Sequence, residues 1–351
     1  HQSTAYNYCW ESSVKVIDFT SGSNPLGPSN KARNIIRTRL RQISAINADG
    51  LDRLKNYIAK KEGIDDACIL FGCGSTVILN TILDHITPKR ILIPYPVSKR
   101  HRSVFLKHSL ECVTVPLKAE ENYDLTIKDF CDAMHGCGAA LLPNPHDVTG
   151  TVISDGDITK IADNADELGI SLLIDEAYSG YASLPSLAVR VSNSKGAAIL
   201  RTFSTFHALG GLRLGYVIGP PDFINQIRAK LDPSWINTLA PWAAIASMKD
   251  KGYQRRTLLF LEGEKAYIQD KLSGTKDMKC SVSPSNILVV RHLKGPGDVQ
   301  KGFERNKVHM NTFVGEDGNI CIPFPIQNHR LNAYFVKVVK KMMGVQKHVS
   351  G

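Results

Sequence analysis

Gly74 and Ser75 follow a strand-like run and would open a helix. Backbone N–H groups at a helix N-terminus, with a serine hydroxyl beside them, suit a phosphate. A plain strand-to-helix turn is the alternative for this pair. Arg213 lies in a glycine-rich segment between Leu212 and the Leu214-Gly215 pair. A guanidinium meets a phosphate dianion in bidentate geometry, and the apolar neighbours argue against an ordinary surface arginine. Asp175 ends the apolar run Ser171-Leu172-Leu173-Ile174. A carboxylate placed so deep requires a partner, because an unpaired buried charge is expensive. Tyr178, three residues on, offers a phenol that could bond a ligand or pack structurally.

These residues sit where the chain must hold them. Arg90-Ile91-Leu92-Ile93 ends at Pro94-Tyr95-Pro96, and Ala139-Ala140-Leu141-Leu142 ends at Pro143-Asn144-Pro145. Ser171 to Ile174 runs into Asp175, and Ala197-Ala198-Ile199-Leu200 runs into Arg201-Thr202. Such wholly apolar runs predict parallel strands buried on both faces. Between two of them, Ile158, Ile161, Ala162, Ala165 and Leu168 recur at helical spacing, with Ser154 or Asp155 as N-cap and Gly169 as the stop. Alternating strand and helix predicts an α/β domain with a mostly parallel sheet, whose ligand lies outside the carboxyl ends of the strands. The texture changes near residue 225 to longer helical patterns, then a strand at Asn286-Ile287-Leu288-Val289-Val290 and a closing helix near Leu331 to Met343. The expected organisation is an N-terminal arm over 1–30, a large domain over 31–225 and a smaller α+β domain over 226–351.

Composition narrows the partners. The 351 residues carry 43 Lys+Arg against 33 Asp+Glu, a formal charge of +10, with 43% apolar residues. That is globular composition with a preference for anions. The basic residues are scattered. The runs Lys99-Arg100-His101-Arg102 and Lys337 to Lys341 read as solvated loop or helix faces, and no nucleic-acid-binding pattern accompanies them. Lys99 or Arg100 could reach an anionic ligand, but a surface place is expected for both. An anionic small molecule is therefore the expected partner, rather than nucleic acid or membrane. No membrane-length apolar run and no basic-then-apolar leader occurs. The eight cysteines (Cys9, Cys68, Cys73, Cys112, Cys131, Cys137, Cys280, Cys321) form neither CxxC pairs nor zinc spacings. A reduced, cytoplasmic protein without a metal site is the expectation.

Taken in order, the strand ends have a specific resemblance. Gly72-Cys73-Gly74-Ser75, Asn144-Pro145-His146-Asp147-Val148-Thr149-Gly150, Asp175-Glu176-Ala177-Tyr178 and Ser204-Thr205, followed by Gly211-Leu212-Arg213-Leu214-Gly215, resemble the pyridoxal-phosphate (PLP) enzymes of fold type I. The aminotransferases of class I/II are meant, nearest to histidinol-phosphate aminotransferase and L-threonine-O-3-phosphate decarboxylase. Ile17-Asp18-Phe19-Thr20, Asn24-Pro25-Leu26-Gly27-Pro28 and Trp235-Ile236-Asn237-Thr238-Leu239-Ala240 favour the decarboxylase branch. The resemblance implies an aminotransferase-like α/β fold and a homodimer. It implies a phosphate held by Gly74, Ser75, Thr202, Ser204 and Arg213, a pyridine nitrogen held by Asp175, and a phenolic oxygen held by Tyr178. Asn24 and Cys321 align with substrate-binding positions.

The sequence departs from that pattern at the centre. Thr205 stands where the family carries its Schiff-base lysine, and an alcohol cannot form an imine. Asp147 stands where an asparagine touches the phenolic oxygen, and a carboxylate there repels a phenolate. Cys321 replaces an arginine that grips the substrate carboxylate. Ile46 falls near a tyrosine usually donated across the dimer. The ring-stacking aromatic expected over Pro96 to Lys99 is absent, with Tyr95 out of register. His207, two residues after Thr205, could serve as a base, or could pack as aromatic residues do there. Ordinary transamination is therefore not expected. The leading expectation is a diverged protein that binds PLP, pyridoxamine phosphate (PMP) or a PLP–amino acid adduct non-covalently and acts on a phosphorylated or anionic amino compound. A non-catalytic crevice used for binding, and a PLP-independent enzyme reusing it, are the alternatives.

Overall fold

The run Ala139-Ala140-Leu141-Leu142 shows no polar alternation because both of its faces are covered. In the computed structural model, which describes residues 16–44, 49–275, 277–293 and 299–343, it lies mid-sheet. A short β1 (Ile17–Asp18) belongs to the N-terminal arm. Seven strands follow: β2 (Ile69–Gly72), β3 (Arg90–Tyr95), β4 (Glu111–Pro116), β5 (Ala139–Pro143), β6 (Ser171–Asp175), β7 (Ala197–Thr202) and β8 (Gly215–Ile218). They form one sheet in the order β2-β8-β7-β6-β5-β3-β4. β4, β3, β5, β6 and β7 pair in parallel, and β8 is antiparallel to both β7 and β2. Successive residues alternate between two cores, as a pleat requires. Ala140, Leu142, Leu172, Ile174, Ala197 and Ile199 enter one. Ala139, Leu141, Leu173, Ala198 and Leu200 enter the other.

Register aligns the strand ends. Pro143 sits opposite Asp175, Asp175 opposite Leu200, and Thr202 opposite Gly215. The loops after β5, β6 and β7 therefore open at one edge of the sheet. The helix Asp155–Leu168 between β5 and β6 is capped as expected, with Ser154 accepting from the Asp157 N–H and Gly169 at φ 66°. Its expected stripe of Ile158, Ile161, Ala162 and Ala165 is buried.

The second sheet comprises β9 (Met278–Val282), β10 (Ile287–His292), β12 (Phe313–Val314) and β13 (Ile320–Pro325), antiparallel in the order β12-β13-β10-β9. Between them, β11 (Val308–His309) pairs in parallel with β1, which brings the arm onto this unit. The helices Lys251–Leu272 and His329–Met343 contribute Leu261, Ile268, Phe335 and Val339 to its core. The boundary expected at 225–226 falls among helices that pack on the large sheet. Ile224, Ile227 and Leu231 complete one core of the large sheet, and Ala240, Ala243, Ala244 and Met248 complete the other. From Tyr253 onward the helical side chains join the smaller core, which also takes Phe19, Tyr181 and Phe206 from earlier in the chain. The change of texture near 225 marks covering helices of the large sheet, whose buried faces look no different in sequence from those of a new domain.

Phe335 anchors the smaller core. It stacks on Phe324 with ring centroids 3.8 Å apart and lies 5.8 Å from the ring of Phe19 in the arm. Phe335→Ala should cost about 3–5 kcal/mol and lower the urea midpoint at an unchanged pH. A loss below about 1 kcal/mol would show that the site collapses around the cavity or is not packed as described.

Candidate functional site

The helix Ser75–Leu83 starts directly after β2, and Gly74 makes the turn at φ 95°. That backbone conformation strains an L side chain, and space forbids one as well. A Cβ on Gly74 would come within 2.5 Å of Arg213 Nη2. The arginine therefore lies over the helix N-terminus, held by a left-handed backbone at φ 50° and by donation from Nη1 to the Gly210 carbonyl at 3.2 Å. Gly215 is equally constrained, since its Cβ would meet Ser75 N at 2.5 Å. The Thr202 hydroxyl donates to Ser204 Oγ and accepts from Ser204 N, both at 3.1 Å. Arg213 is exposed while Ser75 is buried. The product is a half-open cradle of N–H donors under a guanidinium, complementary to a tetrahedral dianion.

Asp175 lies deep at the end of β6 with 2% of its side chain exposed. Its Oδ1 accepts from Ala177 N at 3.0 Å. Its Oδ2 accepts from the guanidinium of Arg100, and His101 Nε2 lies 2.9 Å away. The imidazole bridges two carboxylates, for its Nδ1 is 3.3 Å from Asp147 Oδ2. Burial alone would raise the Asp175 carboxyl. The Arg100 charge and the His101 hydrogen bond together outweigh it and hold the group far below the usual range.

Arg100 and His101 thus correct the sequence reading, which put this basic run on a solvated face. The helix Lys99–Lys107 is capped by Ser98 just beyond β3, so its first turn faces the strand ends where Asp147 and Asp175 demand countercharge. His101 is fully buried, and Arg100 keeps 31% of its side chain exposed. Two carboxylates at the ends of buried strands were the available signal, because each needs a cation or donor.

The other expected site residues take different places, Tyr178 and Thr205 beside the loop after β6 and His207 farther off. Thr205 Oγ1 donates to the Ala177 carbonyl. Tyr178 packs against the arm, where a Cβ on Gly22 would meet its hydroxyl at 2.3 Å. His207 turns away from Asp175: its Nδ1 is 2.7 Å from Ser247 Oγ, and its ring packs against Phe203 and Phe206. Burial lowers its pKa to about 4, too weak for a base near neutrality. It lines a separate cavity of about 340 Å³ with Glu62, Glu176, Arg201 and Tyr216. There Arg201 bridges Glu62 at 3.0 Å and Glu176 at 2.7 Å, a buried network that the sequence reading missed.

The two residues expected to bind substrate both lie in the interior. Asn24 spends both amide protons inside the fold, donating at 2.9 Å to the Phe206 carbonyl and to Thr257 Oγ1. It fastens the arm. Cys321 is fully buried in a cluster with Leu117, Tyr123 and Val289, its thiol 3.5 Å from the Tyr123 hydroxyl. Burial pushes that thiol up, so it offers no charge to a substrate carboxylate. Ile46 and Cys9 lie outside the described residues. Among the described residues no cluster of three metal-ligating side chains occurs, and no helix is long and apolar enough to cross a membrane.

Residues 14–313 match the family described as aminotransferase class I and II. The chain belongs to that family. A histidinol-phosphate aminotransferase of Clostridium acetobutylicum is 28% identical over 290 residues, 79% of this chain and 78% of that protein. Among solved structures, histidinol-phosphate aminotransferase from Sinorhizobium meliloti in complex with pyridoxal-5'-phosphate superposes with a TM-score of 0.82 at 20% identity, covering 93% of this chain and 92% of that one. L-threonine-O-3-phosphate decarboxylase from Porphyromonas gingivalis superposes with a TM-score of 0.75 at 17% identity, covering 93% and 99%. Family membership bears out the aminotransferase-like α/β expectation, and these likenesses extend it over nearly the whole chain.

The Asp175 cluster has a pH signature. Its folded-state pKa lies below the unfolded value, near 3.9, so the pairing stabilises the fold above that value and is lost as pH falls through the acid range. Asp175→Asn should cost about 3–5 kcal/mol at pH 7, and the gap to wild type in urea unfolding should narrow below about pH 5. A gap independent of pH would mean the carboxylate is not ion-paired in the fold.

Proposed function

We propose that this chain binds a phosphorylated pyridine compound (PLP, PMP or a PLP–amino acid adduct) reversibly, and that it does not carry out ordinary lysine-dependent transamination. The observation that carries the reading is a formed phosphate cradle beside a threonine. Gly74 and Gly215 are both positions that a Cβ would fill, and Arg213 stands over the helix N-terminus. These residues fit the phosphate of such a cofactor. Thr205 leaves no amine at the position of the family's lysine, and its hydroxyl is engaged with the Ala177 carbonyl.

When bound, the cofactor supplies an electron-accepting ring. The chain's own residues do the rest. Arg213 and the N–H groups at the start of the helix Ser75–Leu83 bind the phosphate, the Gly74 N–H being spent on the Gly72 carbonyl at 2.7 Å, and Thr202 and Ser204 present hydroxyls beside them. Asp175, Asp147 and Tyr178 surround the ring end. A phosphorylated or anionic amino compound is the substrate class that this basic crevice would draw in. A non-catalytic crevice is the second reading. It is favoured by the position of His207, which is bonded to Ser247 and lines a different cavity, so that no imidazole faces the crevice from the loop after β7.

Titration with PLP or PMP, followed by absorbance at the cofactor bands, should show saturable binding that dialysis reverses. Arg213→Ala should weaken it at least tenfold, as expected for loss of a charge-assisted contact. Borohydride treatment with PLP should leave the wild-type mass unchanged at the 205 position, while Thr205→Lys should gain one reduced cofactor. Failure of wild type to bind either compound would sink the proposal, as would a reducible adduct on the wild-type segment around Thr205.

A further inference from the structure

The ring end of the crevice has its own electrostatic completion. Arg100 spends Nη2 on Asp175 Oδ2, and that nitrogen lies 2.9 Å from His101 Nε2. Its Nε and Nη1 have no hydrogen-bond partner among the described residues, and 31% of the side chain is exposed. Asp147 has 7% of its side chain exposed. Its Oδ2 faces His101 at 3.3 Å and Arg100 at 4.0 Å, whereas its Oδ1 is buried without a partner. The groups around this end are therefore Asp147, Asp175, Arg100, His101, Tyr178 and the buried His146, which interacts with Asp147 and His101.

We infer that Arg100 and Asp147 together invert the hydrogen-bonding polarity of the ring end. The site takes a phosphorylated ring that presents an acceptor to Arg100 and a donor to Asp147. This rests on the proposed function. A protonated ring nitrogen arriving at Asp175 would meet a guanidinium that already holds the carboxylate, and the like charge drives the nitrogen to its neutral form. The remaining N–H groups of Arg100 then donate to it. A phenolate at Asp147 would face a carboxylate, whereas a neutral hydroxyl satisfies the unpartnered Oδ1. The ring so held is uncharged at both positions and accepts electrons less strongly than its protonated form would. Arg100 is thus a specificity-determining residue, and it selects against the protonated ring that Asp175 alone would favour.

PMP labelled with ¹⁵N in the ring tests this directly. The ¹⁵N shift of the wild-type complex should report an unprotonated nitrogen at neutral pH. Arg100→Met should move it to the protonated value and tighten PMP binding roughly tenfold or more, because Asp175 regains a cationic partner. If Arg100→Met does not fold, Asp147→Asn gives a second readout. Removing that charge should lower the pH at which the bound phenol ionises, seen as a shift in the ultraviolet titration of the complex. A protonated nitrogen in wild type, or a phenol titration unmoved in Asp147→Asn, overturns the inference and leaves the proposed function standing. Absence of PMP binding to wild type overturns both.

Discussion

The ends of β5 and β6 carry two carboxylates, Asp147 and Asp175, into a region from which most water is excluded, and the surrounding structure is arranged to neutralise them. Nothing in the apolar sheet could tolerate Asp175 unpaired, since the cost of a lone buried charge exceeds the net stability of most domains. The helix after β3 answers by turning Arg100 and His101 inward at its first turn. That pairing fixes the loop after β6 against the loop after β3. It also settles which chemistry the crevice retains, because Asp175 has only one charge to give.

The phosphate end is built by different means. Backbone geometry carries most of it: a left-handed glycine, a helix start and a second glycine close against Ser75. Such a cradle is made from elements that the fold needs anyway, so it persists whatever happens at the reactive centre. The ring end depends on individual side chains and can change one residue at a time. On the proposed reading, Thr205, Asp147 and Arg100 belong to a crevice that keeps an anion anchor and changes its covalent and ring contacts.

Much of the scaffold was legible in the sequence, and the reasons are physical. Wholly apolar runs ending in proline or aspartate marked the parallel strands, because burial on both faces leaves no room for alternation. Ser154 and Gly169 marked one helix to the residue. The cradle was legible because glycines with positive φ or close backbone approach have few substitutes. The inward turn of Arg100 and His101 was not, since a short basic run reads the same on a solvated face as over two buried acids in distant strands. The Glu62–Arg201–Glu176 network was hidden for the same reason: Arg201 lies 139 residues from Glu62 and 25 from Glu176, and the three meet only in the fold. Asn24 and Cys321 aligned with ligand positions, but their hydrogen bonds and burial belong to the interior. The change of texture near residue 225 was ambiguous because amphipathic helices that cover a sheet resemble those that begin a new domain.

The central claim is that a phosphorylated ligand is held here by its phosphate and released intact. Native mass spectrometry of the protein saturated with PLP, recorded before and after denaturation, measures this most directly. The account predicts one cofactor mass per chain in the native spectrum and the bare chain mass after denaturation. A chain that never retains the cofactor, or one that keeps it through denaturation on a peptide of this crevice, would contradict it.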